Sequence, residues 1–371
     1  MKTMGIIFSN IYDRDLSELT GIRTVASLPF GGRYRQIDFL LSNMSNSGIY
    51  NIGIITKYNY RSLMDHLGSC SEWDLNRKNE SVVFLPPFAE GESGVYHGKL
   101  EALYTAIHFL DNPEYDYVLT CDPTVLCNID FRRAIGHHIR SGCEVTVIAK
   151  KETEPSDGQR SLLLKTNRKN IVTDLLIDTQ VRQGYYSGMG MFIFDRKKLL
   201  ETLGDTHSRG LVHLERDYLQ RRFNEKAIKI NVAPFEGVVL RNRSIELYFK
   251  NNLKLLDKEV RDDLFNPDFP IYTKVRDEAP TYYCEGSRIS DSLIADGCTI
   301  YGNIEKSILF RDVFVKKGSS VRESVIVQGV RIGENVELQC VILDKDVTVR
   351  DNTVLAGTPE HPVIIQKGET V

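Results

Sequence analysis

The stretch "GIIFSNIYDRD" (residues 5–15) joins a short apolar run to a polar loop carrying Asp13, Arg14 and Asp15. A strand, a loop and a following helix form a layout that cradles phosphates, because backbone N–H groups at the helix start face one point. Such a loop needs glycine, so that the backbone can approach phosphate oxygens with no Cβ in the way. "SNIYDRD" contains no glycine, and an aspartate a few ångströms from a polyphosphate is repulsive by roughly several kcal/mol at an effective dielectric of about 20. A second group able to do chemistry is Asp122, in "YDYVLTCDPTVL" after another strand-like run. Ligands of α/β sheets sit at the carboxyl ends of the strands, so this loop and Asp122 are expected to share one cleft.

The elements that must position these groups follow from hydrophobic periodicity. Up to about residue 255, "MGIIF", "NIGIITK", "YDYVLTCD", "CEVTVIAK" and "GMGMFIF" read as strands. "RQIDFLLSNMSNSG", "YRSLMDHLG", "GKLEALYTAIHFL" and "SIELYFKNNLKLLD" read as helices. Their alternation predicts an α/β sheet with right-handed crossovers. Residues 256–285 are rich in charge and proline and read as a linker. Beyond them four segments repeat, "DSLIADGCTI", "KSILFRDVFV", "ESVIVQGVRI" and "QCVILDKDVTV", whose second residues Ser292, Ser307, Ser324 and Cys340 are spaced by 15, 17 and 16. Apolar positions recur in register, first Leu293, Ile308, Val325 and Val341, then Ile300, Val315, Ile332 and Val349. That register predicts stacked coils of a parallel β-helix over residues 286–371, each coil burying its face on the next. An antiparallel sandwich would explain the strands but not the register.

Composition narrows the functional classes. With 371 residues, 42% hydrophobic and 26% charged, the chain can bury two ordinary cores, and a net charge of −3 with mixed signs argues against a nucleic-acid surface. Seven scattered cysteines, none spaced as a zinc or redox pair, read as reduced structural thiols. The N-terminal run is too short for a signal sequence and no apolar run spans a membrane, so a cytoplasmic protein is expected.

"LPFGGRYRQIDFLLSNMSNSGI" (28–49), "TKYNYRSLMDHL", "SGMGMFIF" (187–194) and "SIELYFKNNL" (244–253), in that order and followed by hexapeptide repeats, resemble the ADP-glucose pyrophosphorylase (glucose-1-phosphate adenylyltransferase) family over essentially the whole chain. The resemblance implies an N-terminal Rossmann-like, GT-A-like nucleotidyltransferase domain over 1–255 and a C-terminal left-handed parallel β-helix. Family members make ADP-glucose and pyrophosphate from ATP and glucose 1-phosphate by in-line attack, with Mg²⁺, arginine and lysine neutralising charge.

Carried over residue by residue, the resemblance implies a degenerate site. The family's G-G-G-x-G-T-R-L falls on Ser9, Asn10, Ile11, Tyr12, Asp13, Arg14, Asp15 and Leu16, with Asp15 in place of the arginine. R-A-K-P-A-V-P-F-G-G is matched by "RTVASLPFGG", keeping Arg23 but placing Val25 at the lysine associated with effectors and phosphate; Arg35 and Asp38 match. The two metal-binding aspartates correspond to Asp122 and Arg241, the sugar-phosphate lysine to Asp178, and a serine to Gly188 with Ser187 beside it. Asp122 is then the one family metal ligand left, expected to pair with Arg241, and no cofactor is expected on this chain.

The resemblance is to the non-catalytic subunit type that joins a catalytic subunit in a heterotetramer in some Gram-positive bacteria. It implies a regulatory subunit in glycogen biosynthesis whose Mg²⁺ lies in the catalytic partner. Self-association through the β-helix is a further expectation. "RRF" (221–223) and "RNR" (241–243) offer an anionic effector contact, weighed against a solvated or salt-bridged face. The alternatives are an active sugar-1-phosphate nucleotidyltransferase rebuilt around Arg14, and a module that senses a sugar phosphate or nucleotide without a catalytic partner. His137 and His138 read as surface or helix-end residues rather than metal ligands, and Trp73 as packing under a loop rather than stacking on a base. His361, the one histidine of the β-helix and near its end, makes acyl transfer improbable.

Overall fold

The computed structural model describes residues 2–10, 13–87, 96–151 and 160–371, so that Ile11 and Tyr12 of the phosphate-type loop lie outside the described residues. The N-terminal half is built on a nine-stranded sheet. Its strands are β1 (Thr3–Phe8), β2 (Ile52–Ile55), β3 (Val82–Leu85), β4 (Tyr117–Cys121), β5 (Val145–Lys151), β6 (Arg160–Thr166), β7 (Val172–Gln180), β8 (Tyr186–Asp195) and β9 (Ile230–Phe235). The main path runs β7-β6-β8-β4-β1-β2-β3, with β5 beside β8 and β9 beside β5. β1 pairs in parallel with β2 and β4, while β8 runs antiparallel to β4, β5 and β6. The sheet is therefore mixed, because the hairpin of β6 and β7 returns the chain to the sheet in the opposite sense.

Near-continuous apolar strands are what a sheet covered on both faces requires. Ile6 and Phe8 of β1 enter one core with Leu100, Leu103, Phe192 and Phe194. Ile7 enters the other with Leu40, Leu41, Met44 and Met191. This is the period-two alternation of a strand read out as two packed layers. Helix Gln36–Asn46 covers the second face, and helices Lys99–Thr105 and Arg196–Ser208 cover the first.

The stretch 256–285, expected to be a linker, is bound across the sheet domain instead. It opens with helix Lys258–Leu264, and Leu264 and Ile271 are buried. Asn128 Nδ2 donates to the carbonyls of Leu264 (3.0 Å) and Phe269 (2.7 Å), and Thr273 Oγ1 donates to Asp38 Oδ2 (2.6 Å). The charge and proline content describes only its outer side; its apolar residues anchor the inner one. The first β-helix strand is Tyr282–Tyr283, before the expected boundary at 286.

The C-terminal half stacks three parallel sheets of five short strands, the β-helix expected from the repeat. Ser292 Oγ accepts the Ser307 N–H, Ser307 Oγ accepts the Ser324 N–H, and Ser324 Oγ accepts the N–H of Val341. This ladder corrects the register of the fourth coil by one residue. Val325 pairs with Ile342 rather than Val341, and Cys340 takes the left-handed corner (φ 49°) that Glu323 takes one coil earlier. Cysteine resembles serine as a small residue in the repeat, but the backbone assigns the serine place to Val341. The second series is as expected: Ile300, Val315, Ile332 and Val349 pair in order.

The two halves share a core. Phe30, Phe39, Leu255 and Leu264 pack in one cluster with Ile308, Phe310, Val325 and Ile342 of the β-helix. Beside it Arg23 grips Asp344 through two parallel bonds, Nη1 to Oδ1 at 2.9 Å and Nη2 to Oδ2 at 2.6 Å, with both side chains 3% exposed. Removing one partner strands a buried charge, so Arg23→Ala is expected to lower unfolding free energy by about 3–5 kcal/mol. Guanidinium unfolding of Arg23→Ala and of Arg23→Ala/Asp344→Ala checks this: the double variant recovers much of the loss, since neither charge is then left alone.

Candidate functional site

β1 and β4 run side by side with Ile7 opposite Cys121, which brings Phe8 and the loop after it level with Asp122. The common cleft expected from the strand ends is thus formed. The loop is wired to itself. Ser9 Oγ donates to Ile55 O (2.9 Å) and to Asn10 Oδ1 (3.0 Å), and Asn10 Oδ1 also accepts the Lys57 N–H (2.7 Å). Asn10 Nδ2 donates to Asp13 Oδ2 (2.6 Å), and Asp13 Oδ1 accepts the Val25 N–H (2.9 Å). Asp13, not Asp15, is the buried carboxylate of the loop; Arg14 and Asp15 are exposed on the turn Asp13–Leu16. Burial pushes Asp13 up to about 6, against the hydrogen bonds from Asn10 and Val25 and the charge of Lys57.

Asp122 is fully buried, and its partner is Lys99 rather than the expected Arg241. Lys99 Nζ lies 2.9 Å from Asp122 Oδ2 and 2.5 Å from Glu215 Oε1, walled by the rings of Phe8 (5.8 Å) and Phe192 (5.6 Å). Asp122 Oδ1 has no hydrogen-bond partner among the described residues. Burial raises the Asp122 carboxyl above the usual range against the pull of Lys99. Glu215 is lowered: burial opposes this, but the charge and hydrogen bond of Lys99 prevail. Gly190 leaves the room for this cluster, since a Cβ there would fall 2.4 Å from Asp122 Oδ2 and its φ of 66° disfavours any side chain. Arg241 instead directs Nη2 to Ser187 Oγ at 3.3 Å, because the pairing of Leu240–Arg241 with Val125–Leu126 aims it along β8.

The remaining expected positions scatter. Val25 is buried under the loop and offers only its backbone; its side chain has no charge to give. Gly188 is buried in β8 opposite Ala149, and Asp178 is exposed at a bulge in β7, the outer strand of the main path, with φ 55°. The residues present do not fit Mg²⁺: one carboxylate is held by an ammonium, and the second carboxylate position carries a guanidinium. His138 is buried in the last turn of helix Phe131–Ser141 and bonds Thr146 Oγ1 (2.7 Å), so it is a helix-end residue but not a surface one. Trp73 is fully buried against His66, the packing role expected of it.

Lys99 and Glu215 were missed by sequence reasoning, although one signal existed, and Asp13 was placed in the loop without its buried role. Lys99 stands four residues before Leu103 on the buried face of its helix, where a lysine is out of pattern. A second cluster was missed outright. Arg33, Arg35, Lys274, Arg276, Arg311 and Lys345 line one cleft between the sheet domain and the β-helix. Of the acids nearby, Asp344 is engaged by Arg23 and Asp38 by His66 Nε2 (2.6 Å), the Arg35 N–H and Thr273, while Asp296 and Glu278 offset part of the charge at Arg311. Arg311 Nε has no hydrogen-bond partner among the described residues. Burial first, then Arg35, Arg23 and Arg276, push Lys345 down to about 7. These cations come from four separate stretches of chain, so no local motif shows them. At "RRF" the salt-bridged alternative holds for Arg221, which pairs with Glu225 at 3.1 Å.

Comparison with known proteins places these features. Residues 14–225 match the nucleotidyl transferase family model, and residues 281–361 match that of the GlmU-like C-terminal hexapeptide. The chain is 33% identical over 372 residues to the glycogen biosynthesis protein GlgD of Bacillus subtilis (strain 168), covering 99% of this chain and 96% of the relative. It is 38% identical over 370 residues to the GlgD of Geobacillus stearothermophilus, with the same coverage. It is 32% identical over 358 residues to the glucose-1-phosphate adenylyltransferase of Bacillus thuringiensis (strain Al Hakam), covering 95% of this chain and 94% of that one. The hexapeptide match from residue 281 agrees with a β-helix that starts at Tyr282.

The cation-lined cleft makes a testable claim about pH. An unfolded lysine titrates near 10.4, roughly, whereas folded Lys345 titrates at about 7, so the folded state holds fewer protons between these values. Its contribution therefore grows more favourable as pH rises through that window, and its full penalty applies below it. Lys345→Met is expected to raise the melting temperature most at about pH 6, by less at about pH 9, and hardly at all above about pH 10.5. Sulfate, by adding negative charge beside these cations, is expected to stabilise the wild type more at the lower pH; thermal melts with and without sulfate check both.

Proposed function

Because the chain belongs to the ADP-glucose pyrophosphorylase (glucose-1-phosphate adenylyltransferase) family, we propose that it acts in glycogen biosynthesis as a catalytically deficient, regulatory subunit of that enzyme. The observation that carries this reading is the state of the nucleotide cleft. Its loop has no glycine, its turn carries an exposed Asp15, and Asp122 is bound by Lys99 with Arg241 where a metal carboxylate would stand. Arrays of positioned charge supply most of the acceleration in phosphoryl transfer, each group contributing roughly 2–4 kcal/mol. Losing several at once leaves little activity, even allowing for their non-additivity.

On this reading the reaction, with its Mg²⁺, belongs to a catalytic partner subunit, and this chain works through their contact. The output is a coupling free energy, typically about 1–3 kcal/mol or about 5- to 150-fold in affinity. The cleft of arginines and lysines between the two halves is the seat we assign to an anionic effector of that assembly. It touches both the sheet domain and the β-helix, so an anion bound there changes how the two halves are held.

The test is ADP-glucose synthesis by the purified chain, alone and mixed with the glucose-1-phosphate adenylyltransferase of the same organism, with size-exclusion chromatography of each sample. Expected are no synthesis alone, a mixed oligomer, and a rate or effector response that differs from the partner's own. Synthesis by the isolated chain that is lost in Asp122→Asn would overturn the reading in favour of a rebuilt active site. Absence of any complex would favour a free-standing binding module.

A further inference from the structure

We infer that Lys99 is a resident cation standing where this cleft would otherwise take a divalent metal ion, and that Asp122 and Glu215 become a divalent-cation site once its ammonium is removed. The inference rests on the geometry of the three side chains and not on the regulatory reading above.

Three observations carry it. First, one ammonium bridges two carboxylates at 2.9 Å and 2.5 Å, the arrangement of a small cation shared between oxygen ligands. Lys99 is 6% exposed and Asp122 is 0% exposed, whereas Glu215 is 25% exposed, so water reaches the cluster only from the Glu215 side. Second, Asp122 Oδ1 is buried with no hydrogen-bond partner among the described residues. Lysine donates only along its N–H directions and leaves that oxygen unserved, whereas a metal ion accepts a carboxylate through one oxygen or both. Third, the surroundings are shaped around the cluster at a cost that simple packing would not need. Gly190 withholds a Cβ that would strike Asp122, and Gly98 withholds one that would lie 2.1 Å from Val212 O, letting the helix start press against the segment that carries Glu215. Lys99 is also the first residue of its helix, an end at which the backbone dipole favours anions. A buried ion triad can commonly be exchanged for apolar residues of similar volume without loss of stability, so stability alone does not account for this one.

The charge arithmetic gives the consequence. With Lys99 present two carboxylates share one ammonium, the Arg243 charge also reaches both, and a divalent ion would have to displace or approach the ammonium. With Lys99 shortened, buried Asp122 and the quarter-exposed Glu215 lose the cation that bridges them, and Arg243 is left as the nearby positive charge. Both ligand oxygens are hard donors, which suits Mn²⁺, Mg²⁺ or Ca²⁺ rather than a soft metal.

The test compares wild type, Lys99→Ala and Lys99→Ala/Asp122→Asn for Mn²⁺ binding, by electron paramagnetic resonance of free Mn²⁺ and by thermal melts with Mn²⁺ alone. Lys99→Ala is expected to melt lower than wild type in metal-free buffer, to bind one Mn²⁺ at least about tenfold more tightly than wild type, and to regain melting temperature in Mn²⁺. The added Asp122→Asn change is expected to abolish that gain. Wild type binding Mn²⁺ as tightly as Lys99→Ala would overturn the inference, as would a folded Lys99→Ala with no gain. Should Lys99→Ala be unfolded without metal, it is refolded with Mn²⁺ and with NaCl of equal ionic strength: recovery in Mn²⁺ only supports the inference, and failure in both overturns it. None of these readouts depends on ADP-glucose synthesis or on a partner subunit, so a failure here leaves the regulatory reading standing and the converse also holds.

Discussion

A carboxylate with no contact to water must be neutralised by a proton or balanced by a cation. Asp122 imposes that demand at the carboxyl edge of the sheet, and the elements around it are arranged to meet it. β4 delivers the aspartate, the start of helix Lys99–Thr105 delivers the ammonium, and the π-helical segment Leu214–Gln220 delivers Glu215 as the second anion. Phe8 and Phe192 close the sides, from the strands flanking β4. Glycine at 98 and 190 is the sequence consequence of bringing these backbones so close.

The loop after β1 meets the complementary demand with an anion. The Val25 N–H and Asn10 amide that converge on Asp13 are donors of the kind that bind an incoming oxyanion, and here the protein supplies its own carboxylate. A cleft supplied internally with both an anion and a cation keeps its shape without a ligand. A phosphoryl-transfer catalyst needs the opposite, charges left waiting for the substrate.

The two halves of the chain are mechanically one unit. The apolar cluster joining Phe30 and Phe39 to Ile308 and Phe310 excludes water from the junction, and the Arg23–Asp344 fork sets its orientation. Next to that fork the remaining cations crowd together, which adds to burial, the larger cause, in making Lys345 give up its proton easily. The crowding is a local electrostatic cost carried at the domain junction.

Much of this protein was legible in its sequence, and the limits follow from the range of the forces involved. Strand and helix positions in the sheet domain and the coils of the β-helix show directly, because burial imposes periods of two, of about 3.6 and of one coil on neighbouring residues. The absence of glycine from "SNIYDRD" is likewise local, and so was the loss of a phosphate-binding backbone. Four things were decided only in three dimensions. Residues 256–285 looked like a linker because polar residues outnumber the few that anchor it. The fourth coil shifted by one residue because backbone corners, not the resemblance of Cys340 to serine, set its register. Asp122 met Lys99 rather than Arg241 because pairing partners of a buried charge are chosen by the strands and helices that converge on it, over separations of 23 and 116 residues. The cation cleft gathers side chains from both halves, and electrostatic energy depends on distance in space, which no spacing along the chain records.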